Sequence, residues 1–593
     1  MTRLCQIAIE AAGPLGGVRF ALPHARMAAV TYPATSTTWE ATPTPASRWE
    51  TRDNVSTRRL PLTSARARLA VLALAASLAL GLRATALSTY GLSEDEVNKA
   101  RAIERYRAGD FSANAEHPML MKLAMWGSVE AAELLNRAFA VWGSEPSQAI
   151  PIETAIRLPN AVVGAATTLA LFGVADVLFG ATVALVVALV WAVDINAIAI
   201  NRIGKEDTFL LFFFLLAVWC YERAKRIGAV NPGRAQRWYL SSGASFGLML
   251  ASKYMPHFLG IYAIFNVITD RQPGANRPAR LLHYGAIALT FVAANFAILL
   301  PGTWRYCISY VQGAMLPHHG YLYAGRLYVN DVLASPLGVP AGFYLRLIAT
   351  KVPLVILGAA VAGVIEIVRH RRERGFVLLR VLLVFLLVPY SLMAAKFMRY
   401  ALPMLATIDL IAAVGFVAGI RWLLRKGWLA PVTRIAACAA VVIVSVSAMV
   451  SAHQVTTPFY SLYQNAVGDR LAEPGATFPE ETYDYGVREA VASIAAAAKP
   501  SAYVVSDAPG VVAYYLERSG RADLEPRSLS GQGISFGSQE AWVIVQNEHT
   551  TFENAPVAEQ LRQHVPVWQE LYARDVRAAQ VYRVGGRSPW GAK

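Results

Sequence analysis

Cysteine is scarce in this 593-residue sequence: Cys5, Cys220, Cys307 and Cys438 are the four, and no two form a CxxC pair. Three lie in or beside apolar segments, so neither a disulfide framework nor a zinc knuckle is expected. Charge is thin as well. Asp, Glu, Lys and Arg make up 16% of the chain and hydrophobic residues 55%, against about 25% and about 45–50% in a soluble domain. That excludes an ordinary soluble globular protein. The glycine patterns of a P-loop or a dinucleotide fold are missing, which argues against nucleotide chemistry. The first 60 residues lack the compact n-region, h-region and cleavage site of a signal peptide. No inverted repeat of the kind many transporters carry is visible.

What the sequence does have is apolar runs near the bilayer-spanning length of about 20 residues. They fall at about 67–86, 158–179, 181–201, 208–223, 239–251, 255–269, 282–301, 343–368, 376–394, 401–420 and 433–452, giving about eleven spans. The basic turns at 223–237, 271–280, 369–374 and 421–426 all fall on one side if 85–157 does not cross, as the positive-inside rule requires. The helix-patterned stretch 119–142 carries Lys122, Glu130, Glu133 and Arg137, which suits a helix lying in the interface better than a span. The net charge of +15 follows from this loop bias and is no sign of nucleic-acid binding.

The division expected is a disordered cytoplasmic tail at 1–62, or an over-long start of the reading frame; a transmembrane domain at 63–455 with a first external loop at 85–157; and an extracytoplasmic domain at 456–593. In the last, apolar β-rich runs (SAYVVSD, AWVIVQN, AQVYRV) alternate with helical ones, so a small α/β domain is expected.

Carboxylates gather just outside the first span. Glu94, Asp95 and Glu96 stand in a row, followed by Glu116-His117-Pro118. Such a cluster is costly beside a membrane unless it meets solvent, a cation or a substrate. A solvated acidic turn is the plain reading. The chemical one is a general base that takes the proton of an acceptor hydroxyl. Glu116 with His117 could hold a divalent cation or bond a phosphate. The charged knot Asn201 to Asp207 falls on the same side by parity, as do Arg157, Lys253, Lys396 and Arg399. Cations outside run against the positive-inside bias, and a lipid phosphate would account for them through charge-assisted hydrogen bonds. His318 and His319, in the loop at 302–341, could add donors or an acid.

In order along 85–460, these pieces resemble the GT-C polyprenyl-phosphate-sugar transferases, the protein O-mannosyltransferases and lipid A aminoarabinose transferases. The matching pieces are Asp95-Glu96; Glu116 to Lys122, similar to HPPLxK; Arg157-Leu158-Pro159-Asn160, similar to RLPS; Asn201 to Asp207 before a Phe-rich span; Gly247 to Lys253, similar to GLALLTK; and Arg399 to Pro403, similar to RYLLP. The chain departs from the pattern at Pro118-Met119, where the family has two prolines. Glu206 beside Asp207 leaves two candidates for one position.

The resemblance implies an α-helical polytopic membrane enzyme of the GT-C type. It implies Asp95 as base and Glu96 as its helper. It places Arg157, Lys253, His318, His319, Arg399 and Lys122 near the donor phosphate or the acceptor, and Glu116, His117, Glu206 and Asp207 near a metal or phosphate. The expected reaction moves a sugar from a polyprenyl-phosphate donor to a protein, lipid or glycan acceptor, with inversion, outside a bacterial-type inner membrane. The N-terminus is expected inside and the C-terminal domain outside. A cofactor is not required by this reading, and a divalent cation is left open. The alternatives are a transporter or lipid flippase, and a non-catalytic scaffold carrying the α/β domain.

Overall fold

The computed structural model describes residues 64–141, 148–228, 230–269, 277–311, 320–329, 335–425, 430–530, 539–546 and 548–585. The tail at 1–62 and the His318-His319 pair lie outside them. Helices occupy every expected apolar segment. By length and hydropathy alone, five described helices could cross a membrane, or up to seven if each of two bent pairs counts as one span. The chain is an integral membrane protein.

The first helix, α1 (Ala65–Ala84), starts where the Ser64 hydroxyl accepts the Ala67 amide at 3.1 Å. α2 (Glu94–Arg107) places its three acids in the first turn, where the helix dipole favours negative charge. α3 (Leu120–Val141) is the amphipathic helix. Its polar face meets α2: Arg107 pairs with Glu130 at 2.8 Å and Glu133 at 2.9 Å. α4 (Ile152–Phe179) has 28 residues, roughly 42 Å at 1.5 Å per residue. It begins six residues before the apolar run suggests, because its first turns bury the charged Glu153 and Arg157 against the rest of the protein.

Two expected spans are broken. The run 181–201 is α5 (Ala181–Val193) and α6 (Ile195–Asn201), bent by 61°. Asp194 sits at the break and its carboxylate accepts the Ala197 amide at 2.9 Å, a helix cap inside an apolar stretch. The run 343–368 is α12 (Phe343–Lys351) and α13 (Leu354–Arg369), bent by 119°. Pro353 cannot continue the ladder of hydrogen bonds. Lys351, wholly buried at the end of α12, pairs with buried Glu481 at 2.8 Å and donates to the carbonyls of Ser461 and Tyr463.

Between these breaks lie α7 (Asp207–Gly228), α8 (Pro232–Ser252), α9 (His257–Thr269), α10 (Arg277–Ala294) and α11 (Pro301–Val311). A small hairpin follows, β1 (Tyr321–Tyr323) with β2 (Arg326–Tyr328). The membrane part closes with α14 (Arg374–Leu392), α15 (Leu402–Leu424) and α16 (Pro431–Thr456).

Where α13 crosses α15, Gly363 and Gly415 let the backbones touch. A Cβ at Gly415 would overlap the Ala359 carbonyl oxygen, and one at Gly363 the Ile411 carbonyl oxygen. Such close approach is how membrane helices pack without a hydrophobic driving force. Gly415→Val is therefore expected to lower the melting temperature of the detergent-solubilised protein, by overpacking of about 1–3 kcal/mol or more. Gly419→Ala, a site with open space around it, should leave the melting temperature unchanged.

After the short α17 (Ala466–Leu471), the C-terminal part folds as a five-stranded sheet in the order β4-β3-β5-β7-β6. Its strands are β3 (Tyr503–Ser506), β4 (Glu525–Ser528), β5 (Ala541–Gln546), β6 (Val567–Ala573) and β7 (Val576–Val584). β3 runs parallel to β4 and β5, while β7 runs antiparallel to β5 and β6. Central β5 (AWVIVQ) is buried on both faces, the continuous apolar run such a strand shows. Trp542 and Ile544 face α18 (Val487–Ala497) and α19 (Pro509–Arg518); Val543 and Val545 face α20 (Ala555–His564).

The α18–α19 layer shares its core with Leu92, Val97, Ala100 and Ile103 of the α2 region. The Tyr515 hydroxyl accepts the Leu92 amide at 2.6 Å, and Arg488 donates to the carbonyls of Ser88 and Thr89. The sheet domain is thus seated directly on the first loop.

Candidate active site

Glu96 and Arg157 are the structural heart of that loop. Arg157 donates to both Glu96 oxygens, Nε at 2.8 Å and a terminal nitrogen at 2.7 Å. Its remaining donors reach the carbonyls of Leu87, Tyr90 and Gly91 at 2.6–2.9 Å. Glu96 also accepts the amides of Ser93 at 2.9 Å and Gly204 at 2.8 Å. Both side chains are essentially inaccessible, at 0% and 1% exposure. Burial alone would raise the Glu96 carboxyl. The Arg157 charge and hydrogen bonds, with the two amides, outweigh it and hold the group below its ordinary 4.5. The pair ties the entry of α2 to α4 and to the turn 202–206.

That turn brings the other charges in. Lys205 contacts the Asp95 carboxylate, and Lys99 pairs with Glu206 at 3.0 Å. His117 stands 3.9 Å from the same Glu206. Burial would raise Glu206, but His117, Lys99 and Lys205 around it hold it well below its ordinary value. Asp207, opening α7, pairs with Lys253 at 2.7 Å, and Arg399 lies 3.9 Å from its other oxygen. Arg399 in turn pairs with Glu480 at 3.1 Å.

One network thus collects Asp95, Glu96, Arg157, Glu206, Asp207, Lys253, Arg399 and, at its margin, His117. Lys122 is elsewhere occupied: its ammonium donates to the carbonyls of Asn114 and His117 and braces that loop. Glu116 is taken by Asn114 at 2.7 Å and by the Tyr306 hydroxyl. Glu206 and Asp207 are paired with lysines. Lys396 spends its donors on the Val339 and Met393 carbonyls.

Among these carboxylates Asp95 stands apart. Its side chain is 36% exposed while those of Glu96 and Glu206 are at most 3% exposed. It opens onto a cavity of about 620 Å³ whose wall also includes Lys205, Arg399, Tyr321, Glu480 and Tyr483. The far part of the wall comes from the sheet domain: Asp484, Asp507, Glu548 and His549. The Glu94 amide donates to Asp484 at 2.8 Å, joining the start of α2 to that domain. Lys205 lies inside the matching piece Asn201 to Asp207 without having been singled out, and Glu480, Asp484, Glu548 and His549 carry no family motif. The signal available for them was polar density, in Glu480-Glu481 with Asp484 and in the Glu548-His549 pair.

Residues 151–298 match the family model described as "Dolichyl-phosphate-mannose-protein mannosyltransferase". That stretch is similar to the mannosyltransferases. The motif resemblance is borne out there, over the segment that holds Arg157, Lys205, Glu206, Asp207 and Lys253. Two proteins of Bacillus subtilis (strain 168), YkcB and YycA, both provisionally named mannosyltransferases, are each 27% identical to the chain over 181 and 183 residues. The match covers 30% of this chain and spans about a quarter of those proteins, 23% and 24%.

Among solved structures, the chain is similar to ArnT from Cupriavidus metallidurans bound to undecaprenyl phosphate, at 14% identity and a TM-score of 0.45, over 90% of this chain and 100% of that one. It is also similar to the Archaeoglobus fulgidus oligosaccharyltransferase tethered to an acceptor peptide, at 10% identity and a TM-score of 0.48, over 88% and 74%.

Proposed function

We propose that the protein is an inner-membrane glycosyltransferase that moves a sugar from a polyprenyl-phosphate donor to an acceptor hydroxyl on the extracytoplasmic face. Asp95 takes the acceptor proton. The freed oxygen forms a bond to the anomeric carbon, the bond from that carbon to the lipid phosphate breaks, and the configuration inverts. Lys205 and Arg399 meet the negative charge that grows on the leaving phosphate. The observation carrying this reading is the contrast among the carboxylates: Asp95, though it contacts Lys205, is 36% exposed and opens onto a cavity that Lys205 and Arg399 also line, while Glu96, Glu206 and Asp207 are enclosed in buried ion pairs. Glu96 and Arg157 then serve the reaction by fixing α2. The match to a mannosyltransferase family favours transfer over the transporter alternative.

The test is transfer from a synthetic polyprenyl-phosphate sugar by the detergent-purified full chain, with the products read by mass spectrometry. Hydrolysis or transport of the lipid without a new glycosidic bond would overturn the reading.

The pH profile offers a second check. Burial and the nearby Arg399 charge lower the Lys205 ammonium, against the pull of Glu206, Glu480 and Asp207, to about 7. A lowered value means that the charge is present below about pH 7 and lost above it. The transfer kcat/KM is therefore expected to fall on the alkaline side of neutrality. Lys205→Arg, charged throughout, should remove that alkaline limb, and an unchanged limb in this variant would take Lys205 out of the account.

A further inference from the structure

On the sheet-domain wall of the cavity, three side chains converge without a role in the transfer step. Asp484, Glu548 and His549 each point one oxygen or nitrogen into a common space, all within 4.8 Å of one another, and this is the one such group among the described residues. His549 Nε2 lies 2.7 Å from Asp484 Oδ1 and 3.4 Å from Glu548 Oε1. Ligands at the bond lengths tetrahedral zinc takes stand roughly 3.3 Å apart, so the His549–Glu548 spacing already suits an ion and the His549–Asp484 hydrogen bond would have to open to admit one.

The supports around the trio are those a metal site has. Ligating carboxylates are normally held by hydrogen bonds of their own. Here Asp484 accepts the Glu94 amide at 2.8 Å and the Gln546 side-chain amide. Glu548 accepts the Asp484 amide at 2.8 Å and the Thr482 hydroxyl at 3.3 Å. The His549 carbonyl is held by Asn554 at 2.6 Å.

A second observation points to a ligand. Tyr483, the residue before Asp484, is 7% exposed and lines the same cavity, yet among the described residues its hydroxyl has no hydrogen-bond partner. A buried hydroxyl left so is costly, and a molecule in the cavity would supply its partner. Tyr483 and Asp484 also hold φ of +40° and +56°, left-handed backbone that non-glycine residues adopt at a cost and that clusters at ligand sites.

We infer that Asp484, Glu548 and His549 form a divalent-cation site whose remaining coordination position faces the cavity onto which Asp95 opens. Once an ion displaces the imidazole proton, two carboxylates and an imidazole carry two negative charges, which a doubly charged ion cancels. Three protein ligands leave the fourth position open, as in zinc sites that bind a water or a substrate oxygen and unlike closed structural ones. The ion would take an oxygen of whatever occupies the cavity, a hydroxyl or an anionic group. Cation binding stands independently of the transferase reading.

The test uses the full chain in detergent, stripped with chelator and titrated with Zn²⁺ by calorimetry, with bound metal counted by elemental analysis. The wild type is expected to bind one equivalent. His549→Gln and Asp484→Asn should each lower the affinity at least tenfold, with melting temperatures in the absence of metal confirming that they fold. Asp95→Asn and Glu116→Gln should bind as the wild type does. No stoichiometric Zn²⁺ on the wild type, or binding that survives His549→Gln and is lost in Glu116→Gln, overturns the site.

Discussion

Asp95→Asn is expected to lower the turnover of sugar transfer by about 10²–10⁴-fold, the usual worth of a positioned general base, while KM for the polyprenyl-phosphate sugar changes little. Loss in kcat without loss in KM is the signature of a group that acts in the transition state. The amide keeps the shape of the carboxylate and its contact to Lys205, so the helix entry stays in place. Asn cannot accept the acceptor's proton as an ion does. Glu96→Gln would differ in kind. Its carboxylate is enclosed by Arg157 and two amides, so its loss should be read in the melting temperature as well as in rate. If Asp95→Asn transfers sugar at the wild-type rate, Asp95 is not the base and the cavity serves another step.

The second large effect concerns stability. Arg157→Met should cost about 3–5 kcal/mol, the range for removing one partner of a buried ion pair. It strands the Glu96 carboxylate and leaves the Leu87, Tyr90 and Gly91 carbonyls without their donor. Arg157→Lys should rescue little, because an ammonium cannot span two carboxylate oxygens and three carbonyls as the planar fork does. The double variant Glu96→Gln/Arg157→Met should recover part of the loss, since the orphaned charge is gone while the carbonyls remain unpaired.

The Glu96 contribution also has a pH sense. Its folded-state carboxyl lies below 4.5, so the stabilisation is full above that value and is lost as the pH falls through the folded-state value. Thermal melting in detergent between pH 7 and pH 3 checks this. A lysine variant as stable as the wild type would show that charge alone, not the fork, holds the loop.

Much of this was legible beforehand, for identifiable reasons. Apolar runs of bilayer length and the one-sided basic turns fix where helices lie, because lipid leaves the backbone few alternatives. The breaks at Asp194 and Pro353 were hidden, since an apolar run reads the same whether straight or bent. Strands β3, β5 and β7 announced themselves as apolar β-rich runs. Edge strands β4 and β6 did not: EPRS and VWQELYA carry the charges that edge positions tolerate. At the site, motif order found the charged residues that share the network. It could not tell Arg157, a clamp on Glu96, from Arg399, which lines the cavity. That distinction depends on which carbonyls lie nearby. The sheet-domain residues fell outside every motif and became visible only when the domain was seen seated on α2.

The bond between Lys351 and Glu481 carries a consequence for how the chain is made. Lys351 is made 130 residues before Glu481, so α12 is synthesised ahead of its counter-charge. Until that segment arrives, the end of α12 lacks both the Glu481 carboxylate and the Ser461 and Tyr463 carbonyls that hold it. A chain truncated before Glu481 is therefore expected to melt at a lower temperature in detergent than the full chain, because Lys351 is left buried without its partner.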